Sequence, residues 1–162
     1  YPGWLYQVNL GATTIWERWN SLSPDGTFGD TGMNSLNHYT YGSIVEWMYR
    51  NMCGINPIES APGFRKVRLA PKPHPSLNYA KATLKTAAGV YESGWSYDDG
   101  SLSCQFKIPF NAEAELVLPQ IPGSTTIING EPLEEAEYQY ESSGDIVIVL
   151  GPGRYEVLME GK

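Results

Sequence analysis

Two stretches of this chain carry the residue types that do chemistry. GATTIWERW, residues 11–19, sets one carboxylate, Glu17, between the indoles of Trp16 and Trp19. NSLNHYTYG, residues 34–42, supplies His38 flanked by Asn34, Asn37, Tyr39 and Tyr41. Carboxylate, amide and flat aromatic groups together suit a sugar, because pyranose C–H faces pack on rings while hydroxyls require paired donors and acceptors. Sugar chemistry is the first expectation, with Glu17 its centre.

The elements that must position these groups are bounded by length and charge. A chain of 162 residues holds one ordinary domain, or one small domain with a piece of another. A net charge of −7 with 11 basic residues offers no basic face to a phosphate backbone, so nucleic acid is not expected as a partner. No apolar run is long enough to span a bilayer and no leader or lipidation signal is present, so no membrane role is expected. Cys53 and Cys104 each sit in a stretch that reads as core, and both are expected to be buried free thiols. Two distant histidines without an acid cluster at ligand spacing indicate no metal, and no motif calls for a cofactor. Tyr1-Pro2-Gly3 reads as sequence entered inside a packed domain and carries no information on secretion.

A composition shift falls near Pro57. Before it lie helical signals and four of the five tryptophans. Asn34 or Ser35 is the expected N-cap of the longest helix, whose stripe Tyr41, Ile44, Val45, Met48, Met52 has helical spacing and which should end at Gly54. A shorter helix is expected over residues 4–10, residues 13–19 read as helical or as a tight extended turn, and the run NSLSPDGTFGDTG between them and Asn34 reads as a functional loop. After Pro57 come about nine candidate strands. They cover residues 65–69, 79–86, 89–97, 101–108, 113–118, 125–128, 138–140, 145–150 and 154–159. Leu102, Cys104, Phe106 and Ile108 alternate with polar residues, while Asp98-Asp99-Gly100 and Asn129-Gly130 signal hairpins. An antiparallel sandwich is favoured over a barrel.

In order and spacing, the segments YPGWLYQVNLGATTIWERWNS, MNSLNHYTYGSIVEWMYRNMCGINP and APGFRKVRLAPKP resemble the C-terminal part of bacterial α-L-rhamnosidases of glycoside hydrolase family seventy-eight. The resemblance implies a fold class in two segments: residues 1–57 are the last helices and loops of an (α/α)6 catalytic barrel, and residues 58–162 a C-terminal antiparallel β-sandwich. It implies an inverting glycosidase in which Glu17 matches the general base and His38 a histidine of the sugar pocket, with Trp16, Trp19 and Tyr39 as walls for rhamnose. The implied partners are a rhamnose-containing glycoside or polysaccharide and the remainder of the barrel. No residue here matches the family's general acid, so the segment by itself is expected to be inactive, and its uncovered helix faces invite self-association.

Two other features compete. Tyr91, Trp95 and Tyr97 share one face of a strand, either as a sugar platform of a noncatalytic carbohydrate-binding module or as the inner face of the sandwich, which is favoured. Residues 131–145 carry six carboxylates and no base, and read as a solvated sandwich edge. Glu46, Arg18 and Arg50 read as structural ion-pair partners, and His74 as a surface residue.

Overall fold

A computed structural model describes residues 3–98, 100–134 and 137–160. The chain divides into two compact units, Tyr1–Trp47 and Met48–Lys162.

The first unit has little regular structure. Helix α1 spans Trp4–Asn9, and Gly11, at φ +78°, turns the chain out of it. Residues 13–19 form bends rather than a helix. The loop that follows folds back on itself, with a bridge between Leu22 and Phe28. Asp25 holds its tip, accepting the Thr27 N–H at 3.0 Å and the Thr27 hydroxyl at 2.7 Å. These bonds favour the ionised carboxylate and draw its pKa below the ordinary value. The expected long helix begins later than an N-cap at Asn34 or Ser35 would place it, with a 3₁₀ turn at Thr40–Gly42 leading into α2 at Ser43–Trp47. Ser35 is not its N-cap, because the Ser35 hydroxyl is engaged with Asn37, and Asn34 donates its amide to the Ser21 carbonyl at 2.9 Å.

The second unit opens with a π-helical turn, Met48–Met52. It stops where expected. Gly54 has φ +74°, and a Cβ there would lie 2.0 Å from the backbone nitrogen of Pro71, so only glycine fits the turn. Eleven strands follow among the described residues: β1 Ile55–Pro57, β2 Lys66–Leu69, β3 Tyr79–Thr86, β4 Gly89–Asp98, β5 Ser101–Ile108, β6 Glu113–Leu118, β7 Thr125–Ile128, β8 Glu131–Pro132, β9 Gln139–Tyr140, β10 Ile146–Leu150 and β11 Gly153–Glu160. They form two sheets, ordered β1-β2-β6-β10-β9 and β3-β4-β5-β11-β7-β8. Every pairing is antiparallel except β2 with β6, which are parallel and joined through β3 to β5 in the opposite sheet. The composition shift near Pro57 comes later than the division between units because β1 pairs with β2, Ile55 opposite Leu69.

The two sheets pack face to face through alternating side chains. Val67, Leu69, Ala114, Leu116 and Leu118 from one sheet and Tyr91, Leu102, Cys104 and Met159 from the other are fully buried. In the row Tyr91, Trp95, Tyr97 the first two are buried in this core and Tyr97, half-buried, packs against it. Tyr91 donates its hydroxyl to the Phe64 carbonyl at 2.7 Å and Trp95 its indole N–H to the Met52 carbonyl at 2.7 Å, so neither ring is a platform for an external sugar. Burial also pushes the Cys104 thiol and the Tyr91 phenol up to about 12. The Cys53 thiol is raised for the same reason, and both cysteines are free.

The hairpin signals act as turns. Asn129 and Gly130, at φ +53° and +87°, join β7 to β8, and β4 closes on β5 with Asp98 opposite Ser101, the intervening Asp99 lying outside the described residues. The acidic stretch supplies β8 and β9, which end the two sheets. Glu141 there pairs with Arg68 at 2.6 Å, while Glu135 lies outside the described residues.

Candidate active site

All of the site residues expected from the sequence lie in the first unit, where the two motif segments run alongside one another in opposite directions. The Glu17 N–H donates to the Ser35 carbonyl at 2.9 Å and the His38 N–H to the Ile15 carbonyl at 2.8 Å. The Thr14 hydroxyl donates to the Leu36 carbonyl. This ladder brings together two side chains that are far apart in sequence.

The ladder has one irregular rung. Where a regular strand pair would send the Ser35 N–H to a backbone carbonyl, it donates instead to Oε2 of Glu17 at 2.8 Å. A charge-assisted bond of that kind fixes the carboxylate plane and satisfies one oxygen. The other oxygen, Oε1, lies 4.0 Å from Nε2 of His38. The Glu17 side chain is 18 % exposed and that of His38 31 %, so the pair is reachable from outside yet partly withdrawn from water. His38 is in turn held by Thr40, whose N–H donates to Nδ1 at 3.2 Å and whose hydroxyl oxygen lies 2.7 Å from the same nitrogen.

The aromatic residues divide between surface and interior. Tyr39 stacks on the His38 ring, centroids 5.1 Å apart and planes within 10°, and is 88 % exposed. Trp19 stacks on Tyr41 at 4.3 Å and meets the edge of Trp4 at 4.8 Å, so one of its faces is already occupied. Trp16 differs from the sequence expectation. It is 3 % exposed, its backbone N–H donates to Oε1 of Gln7 at 3.1 Å, and its ring has no face open to a pyranose in this chain. The Gln7 side chain, itself buried, holds the Trp16 backbone from within, while the Glu17 carboxylate is held by the Ser35 N–H.

Arg18 steadies the outer side. Its Nε donates to the Met33 carbonyl at 2.7 Å and its guanidinium lies 3.6 Å from Asp30. Met33 holds a positive φ of 139°, an unfavourable conformation for a residue with a Cβ. Ser35 and Thr40 were not singled out by sequence reading as partners of Glu17 and His38. Thr40 had a local signal, a hydroxyl residue two positions after a histidine, whereas Ser35 acts through its backbone and had none.

The site thus holds a carboxylate with one oxygen fixed and the other facing an imidazole, beside an exposed aromatic ring. Residues 1–52 match the family described as bacterial alpha-L-rhamnosidase 6 hairpin glycosidase domain, and residues 54–131 that described as bacterial alpha-L-rhamnosidase C-terminal domain. An alpha-L-rhamnosidase of Formosa agariphila is 38% identical over 159 residues, covering 96% of this chain and 17% of that protein. One from Streptomyces avermitilis is 40% identical over 119 residues, covering 74% and 11%. Among solved structures, the α-L-rhamnosidase from Dictyoglumus thermophilum superimposes with a TM-score of 0.82 at 33% identity, over 99% of this chain and 17% of its own. The Streptomyces avermitilis α-L-rhamnosidase complexed with L-rhamnose gives 0.81 at 32%, over 99% and 15%. The chain belongs to the bacterial α-L-rhamnosidase family, as its C-terminal part: a helical remnant of the (α/α)6 barrel followed by the β-sandwich. It spans 17% of the length of the Formosa relative, about a sixth.

Proposed function

We propose that Glu17 is the general base of an inverting α-L-rhamnosidase that hydrolyses terminal α-L-rhamnosyl bonds, and that this chain supplies the base and one side of the sugar pocket. The observation that carries this reading is the asymmetry of the carboxylate, with Oε2 held by the Ser35 N–H at 2.8 Å and Oε1 facing His38 across 4.0 Å. An inverting hydrolase needs one ionised carboxylate that orients a water and accepts its proton, and a second, protonated carboxyl on the leaving oxygen. Glu17 has the fixed orientation and the available oxygen for the first task. Supporting evidence for the sugar is the relatives' activity and the rhamnose complex of the Streptomyces avermitilis enzyme.

His38 contributes a hydrogen bond to the sugar or its attacking water, and the exposed ring of Tyr39, with the remaining face of Trp19, gives the apolar C–H surface and C5 methyl of rhamnose something to pack on. Trp16 acts from beneath, as packing for the segment that carries Glu17. The general acid comes from the remainder of the barrel. That remainder packs on apolar side chains that are exposed here, Leu5, Val8, Val45 and Trp47.

The test is Glu17→Gln in the full-length enzyme on a chromogenic α-L-rhamnoside. Glutamine keeps the bond from the Ser35 N–H but cannot take a proton, so kcat should fall by about 10²–10⁴. Azide should restore part of it and give an inverted product. Near-normal turnover would sink the assignment of Glu17, and turnover by this chain alone would show that it holds an acid of its own.

A further inference from the structure

His38 and His74 are set in the same local turn. Thr40 and Ser76, each two residues on, donate a backbone N–H to Nδ1 at 3.2 and 3.1 Å. The hydroxyl oxygen of each lies 2.7 Å from that same nitrogen. A neutral imidazole carries a single N–H, and an Nδ1 approached both by a backbone N–H and, more closely, by a hydroxyl is favoured as the accepting nitrogen. A neutral ring set in this turn bears its proton on Nε2. What differs is the surroundings of that proton. His74 stands in an exposed connection before β3, whereas Nε2 of His38 faces Oε1 of Glu17 across 4.0 Å.

That separation is too long for a direct hydrogen bond and suits one oxygen placed between the two groups. With a donor on one side and an acceptor on the other, a hydroxyl satisfies both, accepting from Nε2–H and donating to the carboxylate. The opposite tautomer would set two acceptors against each other and change what the pair can bind.

We propose that Thr40 is a positioning residue of this site: by capping Nδ1 it holds His38 as the Nε2–H tautomer with its ring turned to Glu17, so that the pair closes on a single hydroxyl, of water or of the sugar. The tautomer stands by itself; its effect on turnover rests on Glu17 being the base.

The experiment is nitrogen NMR of the full-length enzyme carrying ¹⁵N-labelled histidine, with His38→Gln assigning the signals and His74 as an internal reference. In the wild type, His38 should show an unprotonated Nδ1 and a protonated Nε2. Thr40→Ser should preserve this pattern and the activity. Thr40→Val keeps the backbone N–H on Nδ1 but loses the shorter hydroxyl contact, so part of the His38 population should move to the Nδ1–H tautomer while His74 stays unchanged, and kcat/KM should fall by about fivefold. Saturation with L-rhamnose identifies the bridging group: a moved His38 Nε2–H signal marks a sugar hydroxyl, an unmoved one marks water. A protonated Nδ1 in the wild type overturns the proposal, as does a Thr40→Val enzyme with wild-type His38 signals and wild-type kcat/KM. Full activity in Glu17→Gln beside the expected tautomer would remove the base and leave the role of Thr40 intact.

Discussion

The sandwich unit and the unit that carries the site bury their apolar side chains very differently. In the sandwich, Val67, Leu69, Tyr91, Leu102, Leu116, Leu118 and Met159 are sealed between two sheets of the same chain. In the first unit, Tyr6 and Trp16 are the hydrophobic residues buried among those described, while Leu5 and Val8 stand on an open face of α1 at 70 % and 62 % exposure. Since about 25 cal/mol of stabilisation accompanies each Å² of apolar surface removed from water, a unit that leaves its helices uncovered forgoes most of that term. The sandwich completes its own core; the site-bearing unit is shaped for company. The lesson is that the residues able to do chemistry sit in the part of the chain least able to hold itself.

The largest test of this contrast separates the units. Residues 48–162 alone should unfold cooperatively in a calorimeter, and residues 1–47 alone should give no transition, with the circular dichroism of an unstructured chain. A cooperative transition in the short piece would show that its small core suffices. Next in size, Leu116→Ala should cost about 2–5 kcal/mol in urea titration of the whole chain, because Leu116 is fully buried.

A third test uses pH. Burial raises the Cys104 thiol from 9.0 to about 12 and the Tyr91 phenol from 10.0 to about 12. The folded state therefore keeps protons that the unfolded chain releases, so these contributions are whole below the unfolded pKa values and are lost as pH rises toward 12. Stability should fall by up to about 1.4 kcal/mol per pH unit for each group, above pH 9 for Cys104 and above pH 10 for Tyr91. Cys104→Val should flatten the slope, and an unchanged slope would mean that the thiol is not the cause. The smallest effect is expected at the open face. Leu5→Ser should change the stability of this chain by less than about 0.5 kcal/mol. The same substitution in the full-length enzyme should cost several times more if the rest of the barrel covers α1.

The strands were legible for a physical reason. Leu102, Cys104, Phe106 and Ile108 alternate with polar residues and face a core, and Asn129-Gly130 adopts the positive φ values its turn needs. The short strands β1 and β8 were not, since two or three residues have no period to read. The start of the long helix was misplaced because Ser35, a good cap by type, has its N–H taken by Glu17 and its hydroxyl by Asn37. The resemblance implies Trp16, with Trp19 and Tyr39, as a wall for rhamnose, and a motif does not show that the Trp16 ring is buried.

Sequence by itself determined the things that depend on near neighbours: the alternation that makes the sheets, the turn glycines, and the local turn in which a residue two positions on donates its N–H to Nδ1 of His38 and of His74. Only the tertiary structure decided what the Nε2 side of each ring faces. His38 and His74 share one local turn, yet His38 alone lies beside a carboxylate held by Ser35, because backbone bonds between residues 15–17 and 35–38 join segments whose meeting no local preference dictates.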